Sequence, residues 1–341
     1  MINKELGINT SVVIKGDSEN EDTEYYKSGF LKADGTRDDE ALTKWQKELC
    51  EQLQGEGSVL VTNNGALPLS KGLGVTCFGR SSADIIYGGT GSGQVDTANA
   101  ATMSKALTEA GFKVNQPMLD WYTTKIDELK EAKTNRGVAG MWTPYEGVGA
   151  VTRIAEIPVS AVQASGVAYE GYKDFAIVTI GRSGGEGSDL AVGQFADGEH
   201  YFELQEVEKD LLKYVKGQGF GKIIVLINSS NAMALDFVTD PQYGIDACLW
   251  IGGPGQYGMN AVAKILCGDI NPSGKFVDTY SASSLSAPAM QNFGGYDYAN
   301  ADPVTGTGGG VEIDGAPGDL TKIRYAIHYL VEQEGIYVGY K

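Results

Sequence analysis

The chain has 341 residues, enough for two domains or for one with large additions, and its 27 Lys and Arg face 44 Asp and Glu, a formal net charge of -17. A surface this acidic repels phosphate backbones and anionic membranes, so no nucleic-acid partner is expected. The only histidines are His200 and His328, and Cys50, Cys77, Cys248 and Cys267 fall in no paired spacing. That leaves little to build a metal site or a disulfide framework from, and no cofactor is expected. The cysteines read as small buried hydrophobes. The opening Met1-Ile-Asn-Lys-Glu-Leu-Gly7 lacks a charged-then-apolar leader pattern, and no apolar run approaches the roughly 20 residues of a membrane span. The chain as given reads as soluble, with its compartment open.

Residues 1 to about 38 are polar and acidic, with the run Asp17-Ser-Glu-Asn-Glu-Asp-Thr-Glu24, and read as an extended or partly disordered arm. Leu42, Trp45, Leu49 and Leu53 recur at helical spacing, predicting a helix over 39–54 with Asp38 or Asp39 as its N-cap and Gly55 or Gly57 as its end. Arm and helix together are taken as residues 1–55. A strand over 58–62 then turns at Asn63-Asn-Gly65 into Ala66-Leu-Pro-Leu69, read as a short strand whose proline confines it to an edge or a terminus. Gly74-Val-Thr-Cys-Phe-Gly79 is the first convincing core strand. A glycine loop follows, with Gly88, Gly89, Gly91 and Gly93, and then a predicted helix over 98–110. These glycines do not give G-x-G-x-x-G, and they lie well past the end of the strand, so a dinucleotide site is not supported.

A helix over 119–131 precedes an irregular stretch that contains Trp142, Thr143, Pro144 and Tyr145. Long, weakly patterned insertions of this kind are often functional, and Trp142 and Tyr145 are the aromatic residues best placed to stack on a ligand. A helix is expected near 160–165. From Phe175 the pattern becomes regular: strand 175–180, helix 203–216, strand 222–228, a short helix over 232–238, strand 247–251 and helix 257–266. Alternation of this kind predicts an α/β fold, a doubly wound, mostly parallel sheet with helices on both faces, over residues 56–290. An irregular tail over 291–341 completes the chain.

The most telling stretch is Phe175-Ala-Ile-Val-Thr-Ile-Gly-Arg-Ser-Gly-Gly-Glu-Gly-Ser-Asp189. A strand covered on both faces empties into a glycine-rich loop at its carboxyl end, where open α/β sheets hold ligands. Glu186 stands between two glycines, free to reach a ligand but with no packing of its own. Local sequence leaves it open whether Glu186 is a solvated turn residue or a working acid.

Five motifs in order resemble the α/β-sandwich domain of glycoside hydrolase family 3. They are Val59-Leu-Val-Thr-Asn-Asn-Gly-Ala-Leu-Pro-Leu69, Gly88-Gly-Thr-Gly-Ser-Gly93, Ile180-Gly-Arg-Ser-Gly-Gly-Glu-Gly-Ser-Asp189, Gly253-Pro-Gly-Gln256 and Gly268-Asp-Ile-Asn-Pro-Ser-Gly-Lys275. The ending Glu334-Gly-Ile-Tyr-Val-Gly-Tyr340 looks like that domain's exit, so the likeness spans residues 56–341. The resemblance implies a retaining, exo-acting β-glycosidase, β-glucosidase-like by default, acting on a β-linked glycoside. It implies Glu186 as general acid/base, with Arg182, Ser183 and Asp189 shaping the loop or touching sugar hydroxyls. The aspartate nucleophile of the family sits on a (β/α)8 barrel; this chain resembles a member in which the sandwich comes first, and the barrel is expected beyond Lys341. Thr62 and Leu190 stand where many relatives carry Lys and Arg, so contacts made by those cations do not transfer. If a barrel packs on this domain, an exposed apolar patch is expected.

Two other readings use the same residues. Gly181-Arg-Ser-Gly-Gly185 fits G-x-S-x-G, which would make Ser183 a nucleophile with His328 as base and Asp278 as the acid, provided a helix follows the serine at once. The other is a non-catalytic carbohydrate-binding or scaffolding module. Trp250, inside a strand, reads as core, and both histidines read as structural.

Overall fold

The apolar run from Phe175 continues to Arg182 as one strand, and every residue in it is buried. This computed structural model describes residues 29–89, 91–131, 156–184, 198–280, 283, 288, 296–297 and 328–329. The strand just named is β4 (Phe175–Arg182); the others of its sheet are β1 (Val59–Asn63), β2 (Gly74–Phe78), β3 (Lys113–Val114), β5 (Ile223–Ser229) and β6 (Ala247–Trp250). They form a six-stranded sheet in the order β1-β6-β5-β4-β2-β3. All neighbours run parallel except β1, which is antiparallel to β6. Among the described residues a separate antiparallel ladder pairs β7 (Tyr296–Asp297) with β8 (His328–Tyr329).

The chain forms two compact units, residues 1–46 and 47–341. In the described part of the first, a tight turn closes through Lys32 and Thr36, a Leu31–Arg37 bridge follows, and Phe30 meets Trp45 at 5.3 Å between ring centroids. The helix α1 (Asp39–Gly57) begins here, and the Asp38 carboxylate accepts the Ala41 N–H at 3.0 Å as its cap.

In the second unit, period-2 alternation along fully buried strands sends neighbouring side chains to opposite faces. Val75, Cys77, Ile177, Ile224, Leu226 and Leu249 join one core, roofed by α3 (Met103–Glu109) and α7 (Gly258–Leu266). Phe78, Val178, Ile180, Val225, Ile227 and Cys248 join the other, roofed by α4 (Gln116–Glu131), α5 (Val159–Ala164) and α6 (Glu206–Gly217). This is the doubly wound, mostly parallel α/β sandwich. Cys77 and Cys248 lie in these cores with burial raising their thiol pKa values, while Cys50 and Cys267 are part-buried and all four are free. No described helix is long and apolar enough to cross a membrane.

Several boundaries differ from the sequence expectation for local reasons. Residues 66–69 are not a strand: the Asn63 carboxamide accepts the N–H groups of both Ala66 and Leu67, and the Leu69 N–H goes to the Leu266 carbonyl. α3 starts at Met103, not 98, because Thr102 Oγ1 accepts the Lys105 N–H and fixes the cap there. The expected helix over 232–238 is a single 3-10 turn at Asp236–Thr239. The short helix α2 (Arg80–Ala83) and the two-residue edge strand β3 lack a readable period. β1 also carries a register shift between Leu60 and Thr62, which leaves Val61 as an extra residue against β6.

α2 lies so close to β4 that a Cβ on Gly181 would come within 2.1 Å of Ser81 Oγ. The Ser82 and Thr179 hydroxyls bond at 2.7 Å beneath this contact. Gly79 turns the chain from β2 into α2 at φ 87°, and a Cβ there would meet the Thr179 carbonyl oxygen at 2.6 Å. Gly65 has a similar φ, 78°, but open space around it. Gly65→Ala should therefore cost about 1–2 kcal/mol for conformation alone, and Gly79→Ala roughly twice that or more because backbone must also give way. Urea unfolding of the two variants checks the order.

Candidate active site

Parallel strands deliver their following loops to one edge, and here four of those loops meet. Asn228, fully buried near the end of β5, joins three elements. Its Oδ1 accepts the Ile86 N–H at 2.8 Å, and its Nδ2 donates to the carbonyls of Ile86 at 2.9 Å and Gly252 at 2.7 Å. The loop after β2 is thus tied to the loop after β6. The Gly255 N–H donates to the Tyr87 carbonyl at 2.8 Å, and a Cβ on Gly253 would stand 3.4 Å from Gly88 Cα. The glycine loop lies over this seam: a Cβ on Gly89 would stand 3.7 Å from the Gly184 carbonyl oxygen, at the head of the loop after β4. Gly88 and Gly89 therefore sit at the convergence, and Gly91–Gly93 forms a 3-10 turn beyond it.

The loop after β4 is rooted by a buried ion pair. Arg182, 2% exposed, donates through both guanidinium ends to Glu208, 3% exposed, at 2.6 and 2.7 Å. Its remaining N–H groups go to the carbonyls of Gly181 at 2.8 Å, Tyr201 at 2.6 Å and Glu203 at 2.7 Å. All five donors are used, so none is left for a sugar hydroxyl. Burial alone would lower the Arg182 pKa, but the Glu208 charge and hydrogen bonds carry it above its ordinary value. The Tyr201 ring lies under the guanidinium with its centroid 5.3 Å from Cζ, and its hydroxyl accepts the Ser183 N–H at 3.0 Å. Glu208 also accepts the Gln205 N–H at 2.9 Å, capping α6.

A second acid stands beside this network. Glu156 receives the Arg80 N–H on both carboxylate oxygens at 2.9 Å and the Ile157 N–H at 2.7 Å. Burial nevertheless pushes its pKa up to about 7, outweighing those hydrogen bonds, and the Glu208 charge adds to the rise. The Arg80 guanidinium, whose pKa burial lowers, reaches Asp84 at 2.8 Å.

Glu186, Asp189, Leu190, Trp142 and Tyr145 lie outside the described residues. Arg182 and Ser183 are brought together with Tyr201, Glu203 and Glu208 at the root of the loop, and Ser183 is buried. Gly184, next in the chain, is not helical, and residues 185–197, where the helix that a serine elbow requires would continue, lie outside the described residues. His328 pairs with Asp297 in the β7–β8 ladder. Thr62 faces Cys248 across β1 and β6. Trp250 packs edge-on against Phe276 at 5.8 Å, next to the second core. Among the described residues no group of three or more His, Cys, Asp or Glu can hold a metal. Exposed large apolar side chains there include Leu53, Leu60 and Val277, the last at 97%. Sequence reasoning missed Asn228, Arg80, Glu156, Tyr201 and Glu208. Only Glu208 left a trace, as the fourth residue of Gln205-Glu-Val-Glu208 ahead of an apolar stripe.

A mostly parallel sheet with helices on both faces, its loops gathered at one edge around a rooted glycine-rich loop, defines the ligand-edge α/β sandwich. The chain belongs to glycosyl hydrolase family 3: residues 58–340 match the glycosyl hydrolase family 3 C-terminal domain. Among curated relatives it is 30% identical over 251 residues to a beta-glucosidase of Ruminococcus albus, covering 72% of this chain and 24% of that protein. It is 29% identical over 277 residues to beta-glucosidase A of Butyrivibrio fibrisolvens, covering 74% and 31%. Among solved structures it is similar to a beta-glucosidase from Paenibacillus barengoltzii, with TM-score 0.58 and 30% identity over 74% of this chain and 26% of that one. It is also similar to beta-glucosidase 3B from Thermotoga neapolitana in complex with alpha-D-glucose, with TM-score 0.59 and 27% identity over 76% and 34%. The chain thus spans 24% and 31% of the two curated relatives' lengths.

Glu156 gives this edge a pH signature. With its folded pKa raised to about 7 from an ordinary 4.5, it favours folding fully below 4.5 and loses that contribution as pH rises through 7. Urea unfolding should show wild-type stability falling across that window, relative to Glu156→Gln, by on the order of 2–4 kcal/mol. Parallel pH profiles for the two proteins would exclude the effect.

Proposed function

We propose that this chain is the acid/base half of a retaining, exo-acting β-glycosidase, β-glucosidase-like in substrate, with Glu186 as the general acid and base. The observation that supports the reading is the family match over residues 58–340, with Arg182 and Ser183, the first residues of the sequence motif Arg182-Ser-Gly-Gly-Glu-Gly-Ser-Asp189, at the carboxyl end of a central strand. The names of the relatives, beta-glucosidases, support the substrate class.

Retaining hydrolysis uses two carboxyl groups roughly 5–5.5 Å apart. In the first step an aspartate carboxylate, expected from a (β/α)8 barrel outside these residues, bonds to the anomeric carbon. The glycosidic C–O bond breaks, and Glu186 gives its proton to the departing oxygen. In the second step the Glu186 carboxylate takes a proton from water as that water's oxygen bonds to the anomeric carbon and displaces the aspartate. To hold a proton near neutrality Glu186 needs a raised pKa, which desolvation by a covering domain and a bound sugar, or the facing aspartate, supplies. Asp189, Trp142 and Tyr145 are proposed as sugar or loop contacts. The chain by itself supplies one carboxyl of the two and is catalytically silent.

The purified 341-residue chain should not hydrolyse an aryl β-glucoside; turnover that Glu186→Ala abolishes would overturn the two-part reading. With a family 3 barrel supplied in the same molecule, Glu186→Ala should lower kcat/KM for a poorly departing alcohol by about 10²–10⁴. A fluoride or dinitrophenyl leaving group needs no proton, so its loss should be far smaller. Equal losses for both classes would remove Glu186 from the acid role.

A further inference from the structure

We infer that Asn64 is a site of self-modification: the backbone nitrogen of Gly65 closes on the Asn64 side-chain amide to give a succinimide, which water opens to aspartate and isoaspartate. The pair is the only Asn-Gly step in the chain. Ring closure at an asparagine needs three things together: an unhindered following residue, a backbone N–H not committed elsewhere, and a carboxamide able to turn toward it. Glycine meets the first, having no Cβ and the widest backbone freedom.

The fold leaves all three in place. Asn64 and Gly65 are both exposed, in the bend that follows β1. Gly65 stands at φ 78° with nothing within 4 Å of where a Cβ would be, so its peptide plane has room to rotate. Among the described residues no acceptor meets the Gly65 N–H. The Asn64 carboxamide makes one long contact, from Nδ2 to the Ile245 carbonyl at 3.4 Å, beyond the usual N–H···O range.

The same chemistry is held back at two other positions. For Asn63 the attacking nitrogen would be that of Asn64, whose N–H is donated to the Asp246 carbonyl at 2.8 Å. The Asn63 carboxamide is also pinned: its Oδ1 accepts the Ala66 and Leu67 N–H groups at 2.9 and 3.0 Å, and its Nδ2 donates to the Leu67 carbonyl at 3.0 Å. At Asp34-Gly35 the Gly35 N–H goes to the Lys32 carbonyl at 2.9 Å, and Asp34 Oδ1 accepts the Thr36 N–H at 2.9 Å and its hydroxyl at 2.6 Å. Those Thr36 contacts hold the Asp34 carboxyl below its ordinary pKa, and a carboxylate is a poor electrophile.

In the first step the Gly65 nitrogen, its proton given to solvent base, bonds to Asn64 Cγ; the Cγ–Nδ2 bond breaks, and the amide nitrogen takes a proton from water and leaves as ammonia. In the second, a water oxygen bonds to one of the two imide carbonyl carbons and the ring C–N bond on that side breaks. Opening at Cγ gives aspartate, whose carboxylate then faces the Ile245 carbonyl in place of a donor. Opening at the main-chain carbonyl gives isoaspartate, in which the backbone runs through Cβ and Cγ. The bend is then lengthened between two fixed anchors, the Asn64 N–H on Asp246 and the Asn63 cap on Ala66 and Leu67.

The test ages the folded full chain in heavy-oxygen water at mildly alkaline pH, digests it with trypsin in ordinary water and fragments the peptide of residues 48–71 by mass spectrometry. Asn63 and Asn64 are the only asparagines in that peptide. A parallel sample in guanidinium chloride supplies the unfolded rate. Position 64 should gain one heavy oxygen as a mixture of aspartate and isoaspartate. Its rate should lie within about tenfold of the unfolded chain's, a barrier difference of about 1.4 kcal/mol at most. Asn63 should stay unlabelled in the folded chain, and Asn64→Gln, which would have to close a larger ring, should lose the product. Product that forms only in guanidinium chloride, a folded rate slower than that margin, or equal labelling of Asn63 and Asn64 in the folded chain overturns the inference.

Discussion

A guanidinium taken out of water survives only if its charge and every one of its donors are met inside the protein. At Arg182 that demand recruits the β4 backbone, two carbonyls from residues nineteen and twenty-one positions on, and a carboxylate from α6. The strand, the return of its loop and the helix that follows are therefore set by one side chain. Such a pair is weak evidence for stability, since apolar residues of similar volume in its place often fold as well or better. It is a strong device for register, because few other arrangements of these backbones would offer five acceptors in the plane of the fork.

The loops after β2 and β6 are joined by different means. There a neutral amide, Asn228, satisfies three backbone groups, and glycines permit the contact distances that a Cβ would forbid. The neutral network needs no counter-charge, and the charged one a residue away on the neighbouring strand does; β4 and β5 pair in register, with Arg182 beside Ser229. The ligand edge thus has one seam held by amides and one held by charge, and only the second responds to removal of an ionised group.

Strands and roofing helices could be read from the chain because burial on both faces leaves an apolar run that has no other explanation, as at Phe175–Ile180 and Ile223–Ile227. Element edges were less legible, since they depend on single caps: Thr102 and Asn63 moved boundaries that periodicity alone put elsewhere. The networks at the edge were almost illegible. Arg80 and Glu208, buried, and Glu156, half-buried, are charged residues that composition assigns to the surface, and the Arg80 backbone–Glu156 and Glu208–Arg182 contacts join positions far apart in sequence. Arg182 was found because it adjoins a glycine-rich loop, yet its partners Tyr201 and Glu208 belong to a segment that reads as an ordinary helix entrance.

The extra residue in β1 bears on how the molecule meets its own copies. Among the described residues β1 is the terminal strand beside β6, and one ladder register passes from Leu60–Leu249 to Thr62–Cys248 with Val61 unmatched. A flat border strand offers an evenly spaced row of amide donors and carbonyl acceptors on which a strand from another molecule can nucleate. The bulge at Val61 breaks that spacing and sharpens the twist, so a second chain that matched one half of the border would be out of step with the other. With Leu60 already 38% exposed there, it is the interrupted spacing, not polarity, that guards this border against strand-to-strand aggregation.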